Sequence, residues 1–158
     1  MHSTPFDQPY RGGFVTREDG RREHRFALTV YFEDTDTAGI VYYANYLKFM
    51  ERARSDMLRA AGIDQRAAKE DGTGVYAVAE AHVKYRLPAK LGDDLLVLST
   101  VREVRAASVL IHQRVMRSGQ VLADGRITAA FLGDDDRPRR QPRAWVDTFR
   151  NLIVRDDA

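Results

Sequence analysis

Apolar residues recur at Tyr46, Phe49, Met50, Ala53, Met57, Ala60 and Ala61, the i, i+3, i+4, i+7 spacing of one helix face. Lys48, Arg52, Ser55, Asp56 and Arg59 fill the other face, so residues 45–62 predict one long amphipathic helix. Asn45 is its expected N-cap, because a short polar side chain accepts from an unpaired backbone N–H, and Gly62 can end it in the left-handed region. Upstream, Phe26, Leu28, Val30 and Phe32 alternate with polar or small residues across 24–32, the period of a strand with one buried face. Between the two lie Glu33, Asp34 and Asp36, three acids within four residues, followed by Gly39.

Residues 63–74 read as a helical start that turns over at Gly72 and Gly74. After them the period is two. Residues 75–87 put Ala77, Ala79, Ala81, Val83 and Tyr85 on one face and Glu80, His82, Lys84 and Arg86 on the other, until Pro88 stops the ladder. Further strands are expected over 95–104, 107–117 (alternating Val109, Ile111, Gln113 and Val115) and 121–132, joined by short turns at 105–106 and 118–119. Gly133 with Asp134 to Asp136 ends the last one. A basic loop with Arg137, Arg139 and Arg140 and a short helix over 144–152 follow. Short hairpins force antiparallel pairing. The expectation is an α+β domain over 24–135, a sheet of about five strands packed on one central helix. Residues 1–23 read as a flexible extension and 136–158 as a tail with a short helix.

Composition narrows the function. The chain has no cysteine, which removes disulfides and thiolate metal sites, and its net charge of +2 comes from arginines interleaved with acids rather than clustered. Nucleic-acid binding is not expected. No run reaches the ~18 apolar residues of a membrane helix, and the polar start lacks the apolar core of a signal peptide. A cytoplasmic protein is the expectation.

Two acids one residue apart before a helix have a bland reading as caps and favourable charges at the positive end of its dipole. Asp34-Thr35-Asp36 also matches the paired aspartates of haloacid-dehalogenase-like phosphatases, but a hairpin-rich second half does not suit that parallel architecture. The third reading is acyl transfer. The run D-x-D-x-x-G-I-V-Y-Y-x-N-Y from Asp34, continued by F-M-E-R-A-R from Phe49, resembles the hotdog-fold thioesterases of the 4-hydroxybenzoyl-CoA and YbgC-like (Tol–Pal-associated) kinds. V-K-Y-R-L-P-A-K-L-G-D-D-L from Val83 is a second matching segment in the right order.

That resemblance implies a sheet wrapped around one helix and subunits paired edge to edge, as dimers or tetramers. It implies hydrolysis of short or medium aliphatic or aromatic acyl-CoA with no cofactor and no metal. The catalytic acid falls on Asp36, as nucleophile or general base, and the backbone N–H of Tyr43 polarises the thioester carbonyl. Many YbgC-like proteins carry histidine at the Tyr43 position, so the side chain differs while the backbone role survives. Gly39 lets the loop fold back, Tyr42 and Tyr46 are candidate pocket residues, and Arg86 and Lys90 are candidates for the phosphates of coenzyme A. Glu51 is expected to pair with a nearby arginine. Two alternatives remain: a thioesterase acting on acyl carrier protein, docked through Arg137, Arg139 and Arg140, and a non-catalytic acyl-binding scaffold of the Tol–Pal system.

Overall fold

The computed structural model describes residues 12–154. Six antiparallel strands form one sheet: β1 (Gly13–Thr16), β2 (Arg22–Thr29), β3 (Val75–Tyr85), β4 (Asp94–Val104), β5 (Ser108–Arg117) and β6 (Gln120–Leu132), in the spatial order β1-β2-β4-β5-β6-β3. The helices are α1 (Asn45–Ala60), α2 (Gln65–Glu70) and α3 (Arg143–Leu152). The strand beyond the expected five is β1, which lies in the stretch read as an extension and pairs with β2 from Gly13↔Arg25 to Thr16↔Arg22. Four residues carry too short an alternation to be read as a strand; the open edge of β2 supplies the ladder that orders them. Residues 1–11 of that extension and 155–158 of the tail lie outside the described residues.

The α+β architecture follows the hydrophobic pattern. Phe49, Met50, Ala53 and Met57 on α1 are fully buried, and the first three share a core with Val97, Val115, Leu122 and Ile127 of the sheet. Each such side chain removed from water contributes about 1.5–3 kcal/mol. Close approach depends on Gly125: a Cβ there would lie 2.9 Å from Met50 Cε. α3 closes the far end, where Phe149 and Leu152 pack with Met57, Leu58, Val101 and Ile111.

Three local expectations are corrected. β2 leaves the sheet after Thr29, and Phe32 is 82% exposed in a 3-10 turn (Phe32–Asp34) instead of buried on a strand. Local bonds win there: Asp34 Oδ2 accepts from the Tyr31 N–H at 2.9 Å and the Thr35 hydroxyl donates to Phe32 O at 2.9 Å. Asn45 is the first residue of α1 rather than its cap, the cap position being Ala44 in helical conformation. On β3 a bulge between Val78 and Glu80 breaks the alternation. Ahead of it Tyr76 and Val78 pair with the buried Phe131 and Ala129, so Ala77 and Ala79 do not share the inner face with Ala81, Val83 and Tyr85.

Candidate active site

The acid turn folds as a small hairpin joined to the start of α1. Tyr42 N donates to Asp34 O at 3.0 Å and Asp36 N to Ile40 O at 2.9 Å, with Gly39 at φ +75° completing the reversal. Residues with a Cβ rarely adopt that angle. Asp36 is exposed, and its Oδ1 accepts from the Ala38 N–H at 2.8 Å, while Oδ2 takes no donor among the described residues. Asp34 faces the other way: its carboxylate holds the 3-10 turn.

The hairpin rests on the loop after β3. Val41 N donates to Ala89 O at 2.8 Å, Ile40 bridges Lys90, and Leu91 N donates to Gly39 O. That loop is itself braced. Asp93 Oδ2 accepts from Lys90 N at 2.8 Å and from Arg117 Nη1 at 2.7 Å, contacts that hold its carboxyl below the usual carboxylate range.

At the start of α1 the first intrahelical bonds are tight turns, Asn45 N to Tyr42 O at 2.8 Å and Tyr46 N to Tyr43 O at 3.3 Å. The backbone N–H groups of Tyr43 and Ala44 have no acceptor among the described residues. These are the unsatisfied donors of a helix N-terminus, aligned with the positive end of its dipole. One connection of the chain thus carries an exposed carboxylate and, seven residues on, donors suited to a developing oxyanion.

The other candidates fall into two groups. Tyr42 and Tyr43 are exposed, their rings in edge contact at 5.1 Å, and Tyr43 meets Tyr85 of β3 at 5.9 Å. Arg86 and Lys90 are exposed on either side of Pro88. Tyr46 departs from its expected place: it is 3% exposed, packed on Phe49, and its hydroxyl accepts from Ala89 N at 3.0 Å. It shapes the site through the loop it holds. Arg139 is a loop tether, its Nη1 donating to Gly72 O and Thr73 O.

Glu51 makes no ion pair among the described residues, contrary to expectation. It lines a pocket of about 230 Å³ between α1 and the start of β3, together with Arg54, Ser55 and Tyr76. Arg54 and Gln113 were not singled out from the sequence. The available signal was Gln113 itself, an amide in the buried phase of β5, which donates to Met50 O and Ser99 Oγ, both at 2.9 Å.

One long helix cradled by an antiparallel sheet, with the acid turn at its start, is the hotdog fold of thioesterases. A family model described as the thioesterase-like superfamily matches residues 30–150. The chain is 39% identical over 107 residues to the acyl-CoA thioesterase YbgC of Haemophilus influenzae, covering 68% of this chain and 79% of that protein. It is 32% identical over 128 residues to the acyl-CoA thioester hydrolase YbgC of Escherichia coli O6:H1, covering 80% and 95%. A probable thioesterase from Bartonella henselae aligns with a TM-score of 0.72 at 28% identity, over 76% of this chain and 99% of that one. A 4-hydroxybenzoyl CoA thioesterase complexed with 4-hydroxybenzoyl CoA shares the fold, with a TM-score of 0.73 at 20% identity over 80% and 97%. The chain belongs to the thioesterase-like superfamily.

Proposed function

We propose that this protein hydrolyses acyl-CoA thioesters, R–CO–S–CoA + H₂O giving R–COOH + CoA–SH, in the cytoplasm. The observation that carries the reading is the Asp36 carboxylate, on the connection that leads into the N–H groups of Tyr43 and Ala44, with one carboxylate oxygen and both N–H groups unpaired among the described residues. A thioester carbonyl seated at that helix start has its developing negative charge opposite fixed donors. Asp36 either attacks the carbonyl carbon, giving a mixed anhydride that water opens, or takes a proton from the attacking water. Tyr43 acts through its backbone. Gly39 and Tyr42 shape the approach, and Arg86 and Lys90 meet the phosphates of coenzyme A. The acyl-CoA thioesterase names of the relatives support the same chemistry.

The working unit is a homodimer joined along β3. This strand is an edge of the sheet, and Val75, Ala77, Val78, Ala79 and Ala81 are exposed on it. A long apolar edge of this kind invites another strand. Antiparallel pairing with a second β3 sets the Tyr85 end of one strand beside the Val75 end of the other. Tyr85 touches Tyr43 at the helix start, whereas Tyr76, Ala77 and Val78 line the 230 Å³ pocket. Pairing therefore delivers the Asp36 turn of one subunit to the pocket of its partner.

The test is CoA release from aliphatic and aromatic acyl-CoAs by the native protein and by Asp36→Asn, which keeps size and removes charge. A loss of ~100-fold or more in a folded variant is expected. No CoA release from any substrate by the native protein overturns the reading in favour of a binding scaffold, and equal rates in both overturn the role of Asp36.

A further inference from the structure

We infer that Arg54 makes this protein select acyl groups that end in a carboxylate, an inference that rests on the thioesterase reading and names its substrate class. The pocket between α1 and β3 holds about 230 Å³, below the ~300–1,000 Å³ of sites for drug-sized ligands. It suits a short acyl group. Its lining is mixed: Leu58, Val109, Ile111 and Phe149 form an apolar wall, Glu51, Ser55 and Gln65 are polar, and the Tyr76 hydroxyl is already engaged with Gln141 Oε1 at 2.5 Å.

Arg54 is the one cation of that lining among the described residues. Its Nη1 donates to Gln113 Oε1 at 2.9 Å. Gln113 is fully buried, and its amide nitrogen is committed to Met50 O and Ser99 Oγ, so its oxygen has one orientation and points at the guanidinium. Swinging Arg54 out to solvent would strand that buried oxygen, at the cost of an unmade hydrogen bond. The guanidinium is therefore held in place.

Its charge is only partly answered, by Glu51 on the same helix. Arg54 has no carboxylate at ion-pair distance, and its remaining donors take no acceptor among the described residues. Burial lowers its affinity for the proton, with the Glu51 charge opposing. Arginine nevertheless stays protonated in proteins. A part-buried guanidinium with no ion-pair partner among the described residues is costly, and a ligand carboxylate offsets part of that cost by matching the planar fork of donors. Glu51, one helical turn earlier, lines the same pocket and repels an anion there, a cost that the contact with Arg54 has to exceed.

The experiment compares glutaryl-CoA with pentanoyl-CoA, equal in chain length and differing by the terminal carboxylate, with native protein, Arg54→Met and Arg54→Lys. In the native protein kcat/KM should favour glutaryl-CoA by ~10-fold or more, the scale of a hydrogen bond to a charged group. Arg54→Met should bring the ratio of kcat/KM for glutaryl-CoA over pentanoyl-CoA to about one, mainly through KM for glutaryl-CoA. Arg54→Lys should keep part of the preference. A purely structural role for Arg54 lowers both substrates together and overturns the inference. Competition on the native protein gives the same reading without substitution: free glutarate should inhibit more strongly than pentanoate, and equal inhibition overturns the inference. Pentanoyl-CoA hydrolysed as well as glutaryl-CoA by native protein overturns the selectivity while leaving thioesterase activity intact. No CoA release from any acyl-CoA overturns the thioesterase reading, and this inference with it.

Discussion

The side-chain amide of Asn45 donates to the backbone carbonyl of Asp34, 2.9 Å away. That bond ties the first residue of α1 to the strand of the hairpin that carries Asp36 two positions later. The same carbonyl accepts from Tyr42 N at 3.0 Å, so one oxygen joins the hairpin to the helix start. The geometry between carboxylate and N–H donors is thus set by local bonds, with the loop at Ala89 and Lys90 beneath them.

Asn45→Ala should cost about 1 kcal/mol of stability, the usual worth of one such hydrogen bond. It should lower kcat by about tenfold with little change in KM, because misplacement of a reacting group by a fraction of an ångström is enough. Asn45→Asp should be worse than alanine, since it sets a carboxylate against a carbonyl oxygen. Thermal melts and steady-state kinetics on the two variants check the order.

In the proposed reaction, solvent oxygen separates the two routes open to Asp36 when water opens the anhydride at the aspartyl carbon. Single turnover in H₂¹⁸O should place label in the Asp36 carboxylate if a mixed anhydride is opened at the aspartyl carbon, or confine it to the released acid if water attacks the acyl carbon. Mass spectrometry of the peptide containing Asp36 and of the product reads both. Label in neither position would mean that no water-dependent cleavage occurs at this site.

Charge on the β3 edge should separate the subunits. Ala79→Lys, at an exposed position of the bulge, adds a device that natural edge strands use against pairing. Light scattering should fall from the mass of a dimer, or of a dimer of dimers, to that of one chain. CoA release should fall ~100-fold with it at unchanged circular dichroism, because each pocket then lacks the opposing Asp36 turn. A monomeric variant of full activity would show that one chain contains the whole site.

His24 makes stability depend on pH. Its ring is fully buried between β1 and α1, with Phe14 edge-on at 5.4 Å, Nε2 bound to Asp56 at 2.8 Å and Nδ1 without a partner among the described residues. Burial lowers its pKa from 6.5, outweighing Asp56, which raises it; Arg59 across the same carboxylate lowers it further. Below the ordinary value the unfolded chain binds more protons than the native one. The stabilisation is complete above about pH 6.5 and is lost as pH falls through the lower native value. Tm should therefore drop more steeply from pH 7 to 5 in the native protein than in His24→Gln, which keeps a donor for Asp56 and does not titrate.

Much of the architecture was legible in the chain because burial imposes a period. The 3.6-residue spacing from Tyr46 to Ala61 could only be a helix with one apolar face, and alternation through residues 95–132 could only be hairpins. Asp36 was singled out through the family resemblance of the run from Asp34 to Tyr46, because acids ahead of a helix start read equally well as caps. Period alone failed where a few hydrogen bonds redirected the backbone, as at Phe32, and at the Val78 bulge, which changes the phase of β3 without a mark in the pattern.

The sequence by itself determined the helix, the antiparallel order of the later strands and the position of the acid, since each depends on neighbours along the chain. Tertiary structure alone decided that the Tyr46 hydroxyl holds the loop at Ala89, that β1 extends the sheet, and that Arg54 is held against Gln113. Those facts depend on residues 43, 12 and 59 positions apart being brought together. A side chain's burial and its partners are properties of what folds over it, and no local pattern encodes the far side of a contact.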